Sequence, residues 1–282
     1  PGLASRILSV ANSPALRRGR ELKNLETCLI ALGTRLVRSL ATCLSIQKLF
    51  DRNANLDKFN VADYWSHSLL VGEMARGIAE LAEYPHPDEA YLSGLLHDIG
   101  ELILLSAIGD PYHRFLANSL ENPKLQSEEL QLFGTTHADV GGWLIDHWGL
   151  DSVLADGVAF HHTAATEIVT ATALPQIVWI AQALSVTPDN SPELGMVVNR
   201  SNPKLEMSAL LVVRERAIQR ARQIAEALGI TIADDFPNRR TAAPVAASSL
   251  PEPASAADDD LATLVGGMAL LQPLQQDLFH LG

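Results

Sequence analysis

The sequence predicts an all-α protein, and two observations support that fold class. Apolar residues recur at intervals of three and four along most of the chain, which is the spacing of one face of a helix. No stretch alternates apolar and polar residues over the length of a strand, and neither an internal repeat nor a phosphate-binding glycine loop occurs. We therefore expect a multi-helix bundle with an N-terminal helical subdomain.

The N-terminal part of the chain predicts three helices. Residues 1–12 carry apolar side chains on one face, and this helix should close before Pro14, because proline disfavours helical geometry in the residue that precedes it. Asn24 is a typical N-cap for a second helix, which Gly33 should end. A third helix is expected from about residue 35 to residue 50.

The middle of the chain predicts a series of helices with short connections. The expected helices cover residues 63–81, 88–98, 102–108, 127–133, 137–148, 150–162, 175–186 and 206–228, and Asp110-Pro111 is expected to open a further helix that contains His113. We expect Gly100 to break the third apolar segment and Gly229 to end the last helix. The stretch from Pro188 to Pro203 is predicted as a loop of about sixteen residues, long enough to suggest mobility.

The composition changes after residue 233, where alanine, proline, serine and a run of three aspartates replace the apolar helical pattern. Such a stretch has little to bury and predicts a flexible linker. The expected organisation is an N-terminal helical part (1–60), a helical core (61–230), a linker (231–260), and a helix or the start of a further module (261–282). Because the chain begins at Pro1 rather than at methionine, we expect the N-terminal part to be truncated.

The composition favours a cytoplasmic protein. A hydrophobic content of 47% is ample for a substantial core. No stretch approaches the roughly 18 uninterrupted apolar residues that a membrane helix needs, and no signal peptide is visible. The chain has only two cysteines, Cys28 and Cys43, and both lie in apolar helical patterns. We expect them to be buried free thiols in a reducing compartment.

The charge is distributed unevenly along the chain. Residues 1–60 contain ten Lys and Arg against four Asp and Glu, a formal +6, whereas residues 61–230 contain nine against 22, or −13. The acidic majority argues against broad nucleic-acid binding. Arg35 and Arg38, after Gly33, would also fit a helix-turn-helix, but DNA-binding proteins make about six or more phosphate contacts. A plain helical hairpin is therefore favoured over DNA binding.

One stretch stands out chemically: Gly94-Leu95-Leu96-His97-Asp98-Ile99-Gly100-Glu101. Adjacent side chains on a helix point about 100° apart, so His97 and Asp98 can converge on one ion only at a helix end or a distortion. The glycine that follows would let another element approach closely. Further histidines occur at His67, His137, His161 and His162. Together these side chains are enough ligands for one or two transition metals.

The order His, His-Asp, His, His-His resembles the HD superfamily of metal-dependent phosphohydrolases. Flanking motifs narrow this resemblance to the HDOD (HD-related output) domain, over roughly residues 1–229. These motifs are Ala11-Asn12-Ser13-Pro14, Trp65 through Ser68, Ala90 through Gly100, Phe133-Gly134, Trp148-Gly149-Leu150 and His161-His162. The resemblance implies an HD-type helical bundle and a role in bacterial signal transduction.

The related HD-GYP phosphodiesterases, which cleave cyclic di-GMP, have metal ligands in the same order. By that resemblance the ligand set of a binuclear centre would be His67, His97, Asp98, His137, His161 and His162. Asp63 lies four residues before His67, on the same helix face, where those enzymes have an acidic ligand. The implied cofactor is a divalent transition metal, Fe, Mn or Zn. The alternative is that the histidines only hydrogen-bond one another in the core.

Two departures from the active pattern argue against catalysis. Active HD enzymes read His-Asp-Ile-Gly-Lys, whereas Glu101 stands here in place of the lysine that would steady phosphate charge. Gln182 stands where those enzymes supply a final aspartate ligand, and a neutral amide is a poor ligand for a hydrolytic metal. The Gly-Tyr-Pro signature is absent as well. No catalytic residue is therefore assigned.

Three functional hypotheses follow, in descending order. The first is a non-catalytic HDOD regulatory module that acts through protein–protein contacts with other signalling proteins or fused modules, and that could self-associate. The second is a metal-dependent phosphohydrolase, a phosphodiesterase or nucleotidase, that uses the His/Asp cluster. The third is DNA binding through residues 17–38. Neither a membrane nor a nucleic-acid partner is expected for the first two.

Overall fold

Helices are the only regular secondary structure in the part of the chain that the structure describes, which confirms the all-α prediction. This structure is a computed structural model that describes residues 2–13, 16–17, 19–34, 37, 40–41, 44–45, 59–119, 125–186, 191–202, 204–233 and 236–237. Its helices are α1 (Leu3–Ala11), α2 (Leu25–Leu32), α3 (Val61–Leu81), α4 (Pro87–Leu96), α5 (Ile99–Ile108), α6 (Asp110–Ser119), α7 (Leu125–Phe133), α8 (His137–His147), α9 (Ser152–Ala159), α10 (Ala165–Ile168), α11 (Ala173–Val186), α12 (Pro192–Ser201) and α13 (Met207–Leu228).

Helix α3 is the central element of the core. The Asn60 side chain caps it by accepting a hydrogen bond from the backbone N–H of Asp63. From Tyr64 to Ala75 every residue is buried, so the helix is enclosed on all sides rather than on one face. It packs most extensively against α4, and also against α13 and α11. A histidine carried on this helix is therefore held in the interior.

The most apolar segment of the core runs through α4 and α5. Pro87–Ile108 has the length and mean hydropathy of a membrane-spanning helix, but 83% of its most apolar window is buried inside the bundle. A buried core helix of a folded protein has the same properties. The segment is interrupted after Leu96 and resumes at Ile99, so the break lies slightly before the predicted position at Gly100.

The N-terminal part forms a second, smaller apolar cluster. Its buried members are Ile7, Ala11, Cys28, Val37, Ala41 and Leu44. The Asn12 side chain donates to the carbonyls of Leu8 and Leu22 and accepts from the Leu22 backbone N–H. This residue of the predicted motif therefore ties α1 to the chain that enters α2. The Asn24 side chain caps α2 in a reciprocal arrangement with Thr27, as predicted.

Two expectations about the remaining chain have different outcomes. The predicted loop from Pro188 to Pro203 is wrong, because α12 occupies much of it. Ser191 caps this helix by accepting from the Leu194 backbone N–H, and proline occupies its first turn, where the missing N–H costs nothing. Most of the predicted linker (231–260), the predicted C-terminal helix (261–282), most of the predicted helix at 35–50, and Cys43 lie outside the described residues.

Candidate metal centre

The centre of the site is the two-residue turn between α4 and α5. His97 follows the last residue of α4, and Asp98 precedes the first residue of α5 with non-helical backbone angles (φ −97°, ψ 13°). The interruption lets the two side chains point to the same place: His97 Nε2 lies 3.1 Å from Asp98 Oδ2. The sequence-based expectation that they converge only at a helix end or distortion is confirmed.

Gly100 brings a third side chain to this turn. A Cβ atom at position 100 would lie 1.9 Å from the carbonyl oxygen of His137. Only glycine therefore allows the first turn of α5 to approach the first turn of α8 this closely. Thr136 caps α8 by accepting from the Asp139 backbone N–H at 3.0 Å. Helix α8 consequently begins with His137 facing the cluster.

The remaining histidines come from α3 and from the turn that follows α9. His67, on the buried part of α3, places Nε2 3.6 Å from Asp98 Oδ2. His161 and His162 lie just beyond the end of α9. Trp179 of α11 donates from Nε1 to the carbonyl of Thr163 at 2.8 Å, which fastens that turn to the core.

The donor atoms form two groups that share Asp98. One group contains His67, His97 and Asp98, and the other contains Asp98, His137, His161 and His162; the donor atoms within each group lie within 4.8 Å of one another. Asp98 Oδ2 faces His67 and His97, whereas Oδ1 faces His137 at 3.7 Å and His161 at 3.3 Å. A shared carboxylate with one oxygen toward each group is the arrangement of a two-metal site.

The second ring nitrogens determine which donor atoms face Asp98. His97 Nδ1 lies 2.8 Å from the carbonyl of Gly94, and His161 Nδ1 lies 2.5 Å from the carbonyl of Val158. A carbonyl oxygen only accepts, so each Nδ1 carries a hydrogen, and in the neutral form of either ring Nε2 presents a lone pair. These lone pairs face the oxygens of Asp98, and His97 Nε2 is buried without a hydrogen-bond partner. Lone pairs that face a carboxylate repel it unless a proton or a metal ion lies between them, so the residues present fit a metal ion.

In the metal-free protein the charge state of these rings follows from their surroundings. For His137 burial opposes the charged form, but the charge and hydrogen bond of Glu129, with Asp98 and Glu101, raise its pKa to about 9. For His161 burial outweighs the hydrogen bond that a charged ring would donate to Asp98, and it lowers the pKa of His161 to about 4. Burial, followed by the charges of His161 and His137, lowers the pKa of His162 well below its usual value. A proton on His137 therefore supplies positive charge when no metal does.

Sequence reasoning missed one residue of the site, Glu129 on α7. It is fully buried, and Oε2 accepts from His137 Nδ1 at 2.8 Å and from the His137 backbone N–H at 3.0 Å. Its other oxygen, Oε1, accepts from the hydroxyl of Tyr112 at 2.5 Å. A glutamate on a short, weakly patterned helix gives no signal by itself. Its unusual burial is visible only once α7 is placed beside α8.

The family-level comparison agrees with this geometry. The family model of the HDOD domain matches residues 1–164, a range that includes all six expected ligands and most of the helices that carry the site. The chain belongs to the HDOD family. The predicted family and fold class are thus confirmed, and the helical bundle with its His/Asp cluster is consistent with the wider HD superfamily.

Solved structures extend this HDOD fold beyond the matched residues. An HDOD domain protein of unknown function from Geobacter sulfurreducens is 26% identical, with a TM-score of 0.63 over 80% of this chain and 82% of that chain. A candidate phosphohydrolase from Shewanella amazonensis is 21% identical, with a TM-score of 0.62 over 80% and 82%. A candidate signal transduction protein from Marinobacter aquaeolei is 20% identical, with a TM-score of 0.63 over 80% and 52%. A search of curated proteins finds no match.

Three further predicted residues of the HDOD chain take different places in the structure. Asp63 is only partly buried, belongs to neither donor group, and accepts a hydrogen bond from Asn60 Nδ2 at 2.5 Å. Its role as an acidic ligand stays a prediction. Glu101 is 1% exposed, and its charge helps to raise the pKa of both Tyr112 and His137. Gln182 is buried on α11, where its Oε1 lies 3.4 Å from Ser185 Oγ.

The donor chemistry limits which metals could bind. Imidazole nitrogens together with one carboxylate suit Zn, Fe or Mn and do not suit Ca or Mg, which prefer all-oxygen sites. The buried His/Asp cluster could thus hold a transition metal ion, as expected from the sequence.

Proposed function

We propose that this chain is a non-catalytic HDOD regulatory module of bacterial signal transduction, located in the cytoplasm, that acts through contacts with other signalling proteins or fused modules. One observation carries the proposal. At the position where active HD enzymes have a lysine, this chain has Glu101, and that carboxylate is buried close enough to the cluster to affect the pKa of His137.

The sign of that charge argues against phosphoester hydrolysis. A hydrolytic site must gather positive charge around the phosphoryl group as negative charge develops on it. Asp98, Glu101 and Glu129 already place three buried carboxylates in and beside the cluster. An anionic substrate would be repelled where a lysine would attract it, whereas a metal ion would be held more firmly.

Two further features support a regulatory role. Gln182 provides a neutral amide where a last aspartate ligand is expected, so one charge that would orient an attacking water is lost. The Marinobacter protein, named a candidate signal transduction protein, carries the matched fold over only 52% of its length. Such a layout suits a module that transmits a signal to attached or associated domains.

A turnover assay tests the proposal. Protein loaded with Mn²⁺ or Fe²⁺ should not hydrolyse cyclic dinucleotides, nucleotides or a generic phosphodiester above the rate of Asp98→Ala. The double variant Glu101→Lys/Gln182→Asp should change metal occupancy or hydrolysis more than it changes the circular dichroism spectrum. Because a buried lysine is costly to the fold, a second double variant, Glu101→Gln/Gln182→Asp, places a neutral amide at position 101. Wild-type turnover, or a double variant indistinguishable from wild type, would contradict the proposal.

The second candidate function is a metal-dependent phosphohydrolase. It is favoured by one specific observation: the two donor groups share Asp98, as the ligands of a two-metal centre would. The Shewanella relative is itself named a candidate phosphohydrolase. This function requires metal-dependent turnover that Asp98→Ala abolishes. Absence of turnover across the same substrate panel would rule it out in favour of regulation.

A further inference from the structure

Glu129 and Tyr112 form a buried support behind one side of the cluster. Both residues are fully buried, and the Tyr112 hydroxyl donates to Glu129 Oε1 at 2.5 Å. The other carboxylate oxygen accepts from two groups of the same residue, the backbone N–H of His137 at 3.0 Å and its ring Nδ1 at 2.8 Å. The carboxylate thus fixes the His137 ring relative to its own backbone.

A buried carboxylate has to be held by donors, because desolvation of the charge is costly. Glu129 accepts from three donors, two of them on His137 and the third on Tyr112. With Nδ1–H donated to Glu129, the nitrogen left to bind an ion is Nε2, which lies 3.7 Å from Asp98 Oδ1. The support therefore determines both the tautomer and the direction of the His137 ring.

The histidines of the cluster differ in what stands behind them. The Nδ1 atoms of His97 and His161 face neutral backbone carbonyls, from Gly94 and Val158. His137 alone among these three rings is backed by a carboxylate. A carboxylate behind a ligating imidazole increases its donor strength, and removal of such a partner typically lowers metal affinity about 10–100-fold.

We propose that Glu129, braced by Tyr112, is the positioning residue that makes the group of Asp98, His137, His161 and His162 the first to take up a divalent transition metal ion. The group of His67 and His97 then fills second. This inference rests on the metal-holding cluster of the proposed function and extends it to an order of occupancy. Glu129 acts through His137 and is not itself a ligand.

The test is a titration of the metal-free protein with Zn²⁺, in which calorimetry measures each binding step. Wild type should show a tight step and a weaker step. Glu129→Leu should weaken the tight step about 10–100-fold, and Tyr112→Phe should weaken it by less. Glu129→Gln should fall between wild type and Glu129→Leu, because its amide still accepts from His137 but carries no charge. Glu128→Gln removes a neighbouring charge on the same helix and should leave both steps unchanged.

A double-variant comparison separates positioning from a general structural role. In a His137→Ala background, Glu129→Gln should cause no additional loss of Zn²⁺ affinity, because its effect passes through that ring. In the metal-free protein, ¹⁵N NMR of the imidazoles should show His137 with a proton on Nδ1, and Tyr112→Phe should shift that signal. The NMR measurement needs only Tyr112→Phe to fold.

Three results would overturn the inference: no tight step in wild type, unchanged Zn²⁺ affinity in folded Glu129 variants, or an equal loss from Glu129→Gln with and without His137. These results are independent of the turnover assay. Hydrolysis by wild type would contradict the regulatory function and would not affect the proposed order of metal binding. Unaltered Zn²⁺ binding by the Glu129 variants would contradict that order and would not affect the regulatory function.

Discussion

Replacing Gly100 with alanine should displace His137 from the other candidate ligands while the rest of the bundle stays folded. The new Cβ would lie 1.9 Å from the carbonyl oxygen of His137 and 2.9 Å from the backbone nitrogen of Gly141. Both atoms belong to the backbone of α8, so no side-chain rotation relieves the contact. The helix itself has to move.

The size of that movement follows from the distances. Real Cβ contacts are essentially never shorter than 3.0 Å, so the oxygen of His137 must retreat by at least 3.0 − 1.9 = 1.1 Å. Metal–ligand distances tolerate about 0.2 Å. The displacement therefore exceeds what a site containing His137 can absorb. Overpacking of this kind also destabilises a fold by about 1–3 kcal/mol.

The assay compares urea unfolding and metal content of Gly100→Ala with those of Gly195→Ala. Gly195 lies inside α12, and a Cβ added there would have nothing within 4 Å, so alanine should stabilise the helix by about 0.5–1 kcal/mol. We expect Gly100→Ala to lower the unfolding free energy and to lose metal, and Gly195→Ala to do neither. A Gly100→Ala protein with wild-type stability and metal content would refute the argument that this glycine sets the approach of α5 to α8.

Three further predictions test the site and its supports. The contribution of the cluster to the stability of the metal-free protein should be greatest near pH 6.5. Below this pH only the unfolded chain binds a proton at His161, whose folded-state pKa is about 4, and above it the native state keeps a proton on His137, whose folded-state pKa is about 9, that the unfolded chain has released. Urea unfolding in chelator across pH 4–9 measures this dependence, and a flat profile would contradict it. Trp179→Phe should cost about 1 kcal/mol and weaken Zn²⁺ binding, because the turn after His161 loses its hydrogen bond to α11; unchanged affinity would mean that other contacts hold the turn. Asn12→Ala should cost about 1–3 kcal/mol and speed tryptic cleavage at Arg17, since two hydrogen bonds to Leu22 across the loop between α1 and α2 and one to Leu8 disappear; equal cleavage rates would show that the loop does not depend on them.

The sequence predicted most of the site because the candidate ligands are recognisable by their residue types and by their order in the chain. His97 and Asp98 are adjacent, which on a regular helix would separate them, and this conflict pointed to the interruption that the structure contains. The role of Gly100 as a point of close approach was also foreseen. The sequence did not predict that the backbone of His137 is the element that approaches Gly100, because helix pairing depends on contacts far apart in the sequence.

The residues that sequence reasoning missed are those whose role depends on burial. Glu129 has no partner at a helical spacing and resembles a surface glutamate until α7 packs beside α8. Asp63 lies on the same helix face as His67, as its spacing predicts, and its carboxylate accepts a hydrogen bond from the capping Asn60; its role as a ligand stays a prediction. Helix α12 was missed because the local signals of Ser191 and Pro192 were outweighed by the polar character of the surrounding stretch.

Metal content tests most directly whether the His/Asp cluster binds a metal ion in the purified protein. The protein should be purified without chelator and without a nickel affinity step, and then analysed by plasma mass spectrometry beside Asp98→Ala. Asp146→Ala, which removes an exposed carboxylate from α8, is the control. We predict near-stoichiometric or higher Fe, Mn or Zn in wild type and in Asp146→Ala, and its loss in Asp98→Ala. A folded wild-type protein without metal, or an Asp98→Ala protein that keeps it, would contradict this prediction.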